Sequence, residues 1–133
     1  MKLHKGYATI LLLNAAAFAF FGVKWLLTPV RMAGGLGIHL TNADAITDAQ
    51  AVYGGLELGV GIFLAICALR RALQWAGLLA ATLTLAGLGT CRGLGILLTP
   101  EHVTGATTQL LATDLGGAVL NGVALAFASR KPR

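Results

Sequence analysis

Four long apolar segments follow one another along the chain, separated by short connections that contain the polar residues, glycine and proline. They cover about residues 7–27, 49–69, 73–98 and 109–128. Each segment has roughly the 20 apolar residues that a membrane-spanning helix needs. Proline follows the first and third segments at Thr28-Pro29 and Thr99-Pro100, where a helix tends to end. The pattern predicts one all-α domain over residues 1–133, an integral membrane protein built as an up-down four-helix bundle.

The first connection is the longest. Val30–Ile38 is apolar but too short to span a membrane, which predicts an interfacial or re-entrant piece. Its glycine-rich part, Gly34–Gly37, lacks the Lys-Ser/Thr ending of a phosphate-binding loop, so we do not expect nucleotide binding. Thr47 is a candidate N-cap of the second long helix, and Gln50 would reach back to complete a capping box.

Composition assigns the chain to a membrane. Hydrophobic residues make up 56% and charged residues 11% of the sequence. So few charges cannot cover a soluble domain of this size, and the low polarity excludes a disordered chain. The net charge is +5, but the basic residues flank apolar segments and form no stripe suited to nucleic acid. We therefore expect a membrane protein with no nucleic-acid partner.

The basic residues also predict the orientation. Most of them lie at the N-terminus, between the second and third segments, or at the C-terminus, and only three lie toward the other side. By the positive-inside rule, both termini are expected in the cytoplasm. The larger group is Lys2, Lys5, Arg70, Arg71, Arg130, Lys131 and Arg133, and the smaller is Lys24, Arg31 and Arg92.

Each apolar segment contains one ionisable residue: Lys24, Glu57, Arg92 and Asp114. On insertion scales, a charge at the centre of a spanning helix costs about 2.5–3.5 kcal/mol. The four residues fall in the same half of the bundle, the outer half in the orientation above, and their formal charges cancel. This arrangement predicts a mutually neutralising polar layer. Lys24 could instead extend to the headgroups, and Asp114 could be a residue of the helix start.

Within this layer, Glu57 and Arg92 are the expected electrostatic partners, because a short turn joins their segments. Asp114 is the alternative partner for Arg92. The Glu57–Arg92 pair could be purely structural, or it could line a ligand cavity or contact a partner. Tyr53 lies one helical turn from Glu57 and belongs to the same candidate site.

Two asparagines extend the polar positions along the bundle. Asn121 lies two turns after Asp114 and faces the same way, while Asn14 lies in the middle of the first segment. Buried asparagines generally join membrane helices through hydrogen bonds, although they can also contact a ligand. The patterns Gly55–Gly59 and Gly89–Gly93 match GxxxG, and each encloses one deep charge. They predict that a second helix approaches closely there.

Histidines and cysteines give no sign of a metal or cofactor. His4, His39 and His102 lie outside the spans, so a haem or metal held by histidines within the membrane is not expected. Cys67 and Cys91 fall at different depths, too far apart for an intrachain disulfide. The sequence predicts no metal and no cofactor.

One stretch resembles a known family. Thr47–Gly59, which reads TDAQAVYGGLELG, together with Leu36-Gly37-Ile38 and Arg92-Gly93-Leu94-Gly95, resembles the hallmark of a bacterial family of small four-helix membrane proteins. That family has only a domain-of-unknown-function label. The chain is similar, more distantly, to the DoxX-like four-helix proteins, some of which accompany membrane oxidoreductases. The resemblance implies the fold and a bacterial inner-membrane location, and no established activity.

Together these features favour a non-enzymatic protein that binds a lipid-like ligand or a partner protein, including another copy of itself, through the polar layer. The alternatives are an accessory subunit associated with a quinone or a redox complex, and a small proton-coupled transporter that uses Glu57. Four helices offer a small transport pathway unless the protein oligomerises. The candidate site residues are Tyr53, Glu57, Arg92, Asp114, Asn121 and Lys24.

Overall fold

A computed structural model describes residues 4–129 of the 133-residue chain. The regular elements of this range are all helices and it contains no strand, so the all-α prediction is confirmed for it. The α-helices are α1 (Lys5–Leu27), α2 (Pro29–Gly35), α3 (Ala43–Ala49), α4 (Leu56–Leu69), α5 (Gln74–Leu98) and α6 (Gly105–Ser129). A π-helical segment, Gln50–Gly55, joins α3 to α4, and 3₁₀ turns lie at Arg71–Leu73 and Pro100–His102.

Four helical stretches are long and apolar enough to cross a membrane: Lys5–Leu27, Ala43–Leu69, Arg71–Leu98 and Gly105–Ser129. They lie over the four apolar segments of the sequence, and the second begins earlier than the expected position near residue 49. Four of the basic residues used to orient the chain lie outside the described residues: Lys2, Arg130, Lys131 and Arg133.

The predicted capping box at Thr47 is wrong. The N-cap is Asn42, whose Oδ1 accepts a hydrogen bond of 2.8 Å from the backbone N–H of Ala45. Thr47 is therefore already inside a helix, and its hydroxyl donates to the carbonyl of Ala43. Gln50 does not reach back. Its Nε2 donates a 2.8 Å hydrogen bond to the carbonyl of Leu26, near the end of α1.

Helix α1 packs antiparallel to α4 with the two backbones in direct contact. A Cβ added to Gly22 would lie 2.8 Å from the backbone nitrogen of Leu58, and one added to Gly61 would lie 3.0 Å from the carbonyl oxygen of Ala15. Such approaches are possible only because glycine has no side chain, and small residues are typical of contacts between membrane helices.

Helices α5 and α6 form the other closely packed pair. A Cβ on Gly89 would lie 2.6 Å from Leu115, and one on Gly117 would lie 2.8 Å from Leu85. These pairs run in opposite directions along the two helices, so α5 and α6 are also antiparallel. The fold is thus two tightly packed antiparallel helix pairs that share a core.

The GxxxG prediction around Glu57 is wrong. A Cβ on Gly55 would have no neighbour closer than 3.9 Å, and one on Gly59 would have none within 4 Å. The π-helical segment directs Gly54 toward α1 instead, where its Cβ position lies 2.7 Å from Leu26. In the second motif only Gly89 makes a close approach, since the nearest neighbour of Gly93 is 3.7 Å away.

A continuous apolar core joins the four long helices, with Leu11, Leu64 and Leu78 fully buried in it. A smaller cluster lies where α1 ends and contains Trp25, Ala33 and Ala49. Ala33 belongs to α2, so part of the expected interfacial piece folds back as a short helix onto the bundle. This cluster fixes the surroundings of Trp25, which borders the candidate site.

Candidate functional site

The deepest polar contact between α5 and α6 is an ion pair. Arg92 donates from Nε to Oδ2 of Asp114 at 3.0 Å, and the two side chains are 26% and 9% exposed. Gly89, one turn before Arg92, leaves room for this approach, because a Cβ there would lie 3.4 Å from the Cβ of Asp114. The predicted Glu57–Arg92 pair is therefore wrong, and Asp114, the alternative, is the partner.

Helix geometry explains this choice. Counted from the turn between α4 and α5, Glu57 and Arg92 differ in depth by about 9 Å at 1.5 Å per residue. Counted from the turn between α5 and α6, Arg92 and Asp114 differ by only about 4.5 Å. The close packing of α5 on α6 adds to this advantage, since it brings the two side chains face to face.

Among residues 4–129, Glu57 forms no ion pair with a basic side chain. It lies in the first turn of α4, and its Oε2 is enclosed and has no hydrogen-bond partner among the described residues. Asp114 lies near enough for the two carboxyl groups to repel each other, and the charge of Asp114 is already met by Arg92. An unsatisfied buried polar group costs roughly 1–3 kcal/mol, so this oxygen can gain free energy from any molecule that donates a hydrogen bond to it.

Tyr53, four residues before Glu57, makes the aromatic contact of this region. Its ring stacks on that of Trp25 with the centroids 4.6 Å apart and the planes inclined by 24°. Trp25 is 4% exposed, whereas Tyr53 is 43% exposed. Tyr53 belongs to the π-helical segment, and such segments occur frequently at functional sites. Sequence reasoning missed Trp25, and its position at the end of a span beside a tyrosine-containing helix is too general a signal to identify it.

Lys24 does not join the polar layer. It is exposed on the surface of α1, with Nζ 5.2 Å from the centroid of the Phe20 ring. This placement matches the alternative in which Lys24 extends away from the bundle interior. The layer therefore contains Glu57, Arg92 and Asp114 with Tyr53 at its edge.

Asn121 lies in a separate polar contact. Its side chain is fully buried and forms a reciprocal amide pair with Asn14: Asn14 donates to Asn121 at 3.1 Å, and Asn121 donates to Asn14 at 3.2 Å. Each amide also donates to a carbonyl of its own helix. All of these partners are protein groups, so the pair joins α1 to α6 and takes no part in the Glu57 site.

Two clefts open at the end of the bundle where α1 meets α2 and α5 meets α6. The α1–α2 cleft has a volume of about 230 Å³, and its lining residues are Val23, Lys24, Leu27, Thr28, Arg31 and Met32. The α5–α6 cleft has a volume of about 210 Å³, and its lining residues are Arg92, Gly95, Ile96, Thr99, Val103 and Thr107. Arg92 thus belongs both to the ion pair and to the wall of an open cleft.

The described residues contain no group of three histidine, cysteine or acidic side chains that could hold a metal ion. Cys67 is buried and Cys91 exposed, and both are free thiols. The polar groups that the side chains of the site supply are an acceptor on Glu57, a cation on Arg92 and the Tyr53 hydroxyl.

A family model described as "Domain of unknown function (DUF4345)" matches residues 7–125. No curated protein and no solved structure matches the chain.

Proposed function

The chain belongs to this family of unknown function, and we propose that it is a non-enzymatic integral membrane protein that binds a lipid-like ligand at the Glu57 site. We propose further that its up-down bundle lies in the bacterial inner membrane with both termini in the cytoplasm. The length and apolarity of the four helices support the membrane setting, as does an outward surface rich in large apolar residues such as Leu13, Leu27 and Phe127.

The observation that carries the ligand proposal is the enclosed Oε2 of Glu57, which has no hydrogen-bond donor in the described part of the chain. A ligand with a hydroxyl or amine group can supply that donor. Arg92 stays engaged with Asp114, so it does not compete with the ligand for Glu57. The half-exposed Tyr53 offers a polar group at the entrance, and the apolar helix surfaces accommodate hydrocarbon chains.

A quinone is the second candidate ligand. The Tyr53 ring stacks on that of Trp25, and a quinone can either stack on the outer face of Tyr53 or accept through its carbonyl from the Tyr53 hydroxyl. An accessory role beside a membrane oxidoreductase would follow from such a ligand. Native mass spectrometry distinguishes a bound quinone from a bound lipid, because the two ligands differ in mass.

Native mass spectrometry of the full chain released from its membrane into mild detergent tests the proposal. The wild type should carry a small-molecule adduct, and Glu57→Gln should reduce its occupancy at least about tenfold, which corresponds to about 1.4 kcal/mol. Glutamine has nearly the same shape, so circular dichroism should show an intact bundle. Glu101→Gln is the matched control, since Glu101 is an exposed acid in the turn before α6.

An adduct that survives Glu57→Gln at full occupancy would refute the Glu57 site. The wild type could instead carry no small-molecule adduct and co-purify with another protein or a second copy of itself. That result would refute the ligand proposal in favour of a protein partner. Substrate flux that depends on pH in proteoliposomes would indicate a proton-coupled transporter instead.

A further inference from the structure

The polar layer contains one more acidic than basic side chain. Glu57 and Asp114 are acids that lie near each other, and Arg92 is the base paired with Asp114. Lys24 would have completed the expected balance, but it is exposed, with its ammonium 5.2 Å from the centroid of the Phe20 ring. The formal charges of the layer therefore do not cancel, and one negative charge remains.

We propose that the ligand of the Glu57 site is a lipophilic amine, whose ammonium group donates a hydrogen bond to Oε2 of Glu57 and brings the missing positive charge. The inference rests on the proposed function, because it names the class of ligand for that same site.

The unpartnered oxygen is the first argument. Oε2 of Glu57 is enclosed and has no partner among residues 4–129, and the nearby Arg92 already donates to Asp114 at 3.0 Å. An ammonium forms a charge-assisted hydrogen bond with a carboxylate, roughly twice as strong as a bond between neutral groups. A ligand hydroxyl would also donate, but it would leave the charge uncompensated, and a buried charge is costly unless it is paired.

Depth is the second argument. Gly22 packs on α4, since its Cβ position lies 2.9 Å from the carbonyl oxygen of Gly54 and 2.8 Å from the backbone nitrogen of Leu58. Glu57 therefore lies at the level of Gly22, roughly 8 Å from the end of α1 at Leu27 at 1.5 Å per residue. The residue is only half-buried, so the head of an amphiphile can reach its carboxyl group from the surface.

The apolar neighbours of Glu57 are the third argument. Leu56 directly precedes it and is 64% exposed, and Val52, one turn earlier, is 46% exposed. A hydrocarbon chain buries apolar surface against such side chains, whereas a small polar amine gains nothing from them. A zwitterionic phospholipid has an ammonium group too, but its phosphate brings back the negative charge. These features together favour an amphiphile with a net positive charge.

The test measures binding to the purified full chain in mild nonionic detergent by scintillation proximity. The probes are tritiated hexadecylamine and tritiated hexadecanol, which share one chain and differ in the head group. The pH is neutral, where alkylamines are protonated. Unlabelled hexadecyltrimethylammonium, which has the charge but no N–H donor, serves as a competitor. Glu57→Gln and Asp114→Asn are the variants, and Glu101→Gln is the control at an exposed acid.

The wild type should bind hexadecylamine at least about tenfold more tightly than hexadecanol. Glu57→Gln should remove this preference while hexadecanol binding changes by less than about threefold, which also shows that the fold is intact. Asp114→Asn keeps Glu57 but makes the layer neutral, so the preference should fall at least about threefold. Glu101→Gln should change it by less than about twofold. Hexadecyltrimethylammonium should compete at least about tenfold less well than hexadecylamine.

Equal wild-type affinities for hexadecylamine and hexadecanol, both weakened by Glu57→Gln, would overturn the amine, while the proposed function would stand with a neutral ligand. If Glu57→Gln left both affinities unchanged, the amine and the Glu57 site of the proposed function would fall together. Equally strong competition by hexadecyltrimethylammonium would overturn the hydrogen bond to Oε2 and with it the proposal. Displacement of hexadecylamine by equimolar dioleoylphosphatidylethanolamine would assign the site to a zwitterionic head group and would also overturn it.

Discussion

The Arg92–Asp114 ion pair should couple α5 to α6 energetically, and the coupling can be measured with Arg92→Gln, Asp114→Asn and the double variant. Arg92→Gln leaves Asp114, whose side chain is 9% exposed, without its ion-pair partner. Removal of one partner from a fully buried pair costs about 3–5 kcal/mol. Since Arg92 is 26% exposed, we expect about 2–4 kcal/mol for Arg92→Gln.

The two single variants should differ. After Asp114→Asn, Arg92 still lines the open α5–α6 cleft, where water can solvate its guanidinium. We therefore expect a smaller loss, about 1–3 kcal/mol. The double variant replaces the pair by two neutral amides, so its loss should be smaller than the sum of the single losses by about 1–2 kcal/mol.

The measurement is the free energy of unfolding from titration with sodium dodecyl sulfate in mixed micelles. A second cycle with Glu57→Gln in place of Asp114→Asn is the comparison, and its coupling should be weaker because Glu57 and Arg92 form no ion pair. Additive losses in the Arg92–Asp114 cycle, or stronger coupling in the Glu57 cycle, would refute the structural pairing.

Three further predictions follow from packing, burial and topology. Gly22→Ala should lower the free energy of unfolding by at least about 2 kcal/mol, because the new Cβ would clash with the backbone of α4. The control Gly59→Ala, whose Cβ would have no neighbour within 4 Å, should be neutral or stabilise by up to about 1 kcal/mol. Equal effects of the two substitutions would refute the close contact. Asn121→Leu should cost about 1–2 kcal/mol in the same assay, since it strands the amide of its partner on α1, and an unchanged stability would show that the amide pair contributes nothing. In a cysteine-free background, a cysteine at Ala43 should react with an impermeant thiol reagent on intact cells and one at Ala72 should not; the reverse pattern would invert the proposed orientation.

The spans were predictable because length and apolarity are local properties of a sequence. The early start of the second spanning stretch was not predictable. Ala43–Ala49 contains two aspartates, one threonine and a single large apolar residue, so it resembles a loop. The local cap at Asn42 supports it as a helix, and so does the packing of Ala49 in one cluster with Trp25. Trp25 is distant in the sequence, so this second support is not visible in the segment itself.

The sequence narrowed the partner of Arg92 to two acids, and the expected one, Glu57, was wrong. The choice depends on which helices pack most closely, and the short turn between α4 and α5 pointed to the wrong neighbour. The glycines that decide the matter, Gly22 and Gly61 on the α1–α4 side and Gly89 on the α5–α6 side, are visible in the sequence. Which neighbouring helix each glycine faces depends on how the helices are rotated about their axes, which the sequence does not show. The π-helical segment changes that rotation before Glu57.

The amide pair between Asn14 and Asn121 links α1 to α6, and it therefore cannot form until α6 has been synthesised. Because α1 is synthesised first, Asn14 enters the bilayer when only the carbonyl of Ile10 on its own helix can accept from it. Its partner arrives 107 residues later, after the other spans have left the ribosome. Until then the first helix carries an incompletely satisfied amide, so a nascent chain truncated before α6 should be held by the insertion machinery or degraded rather than released as a finished bundle.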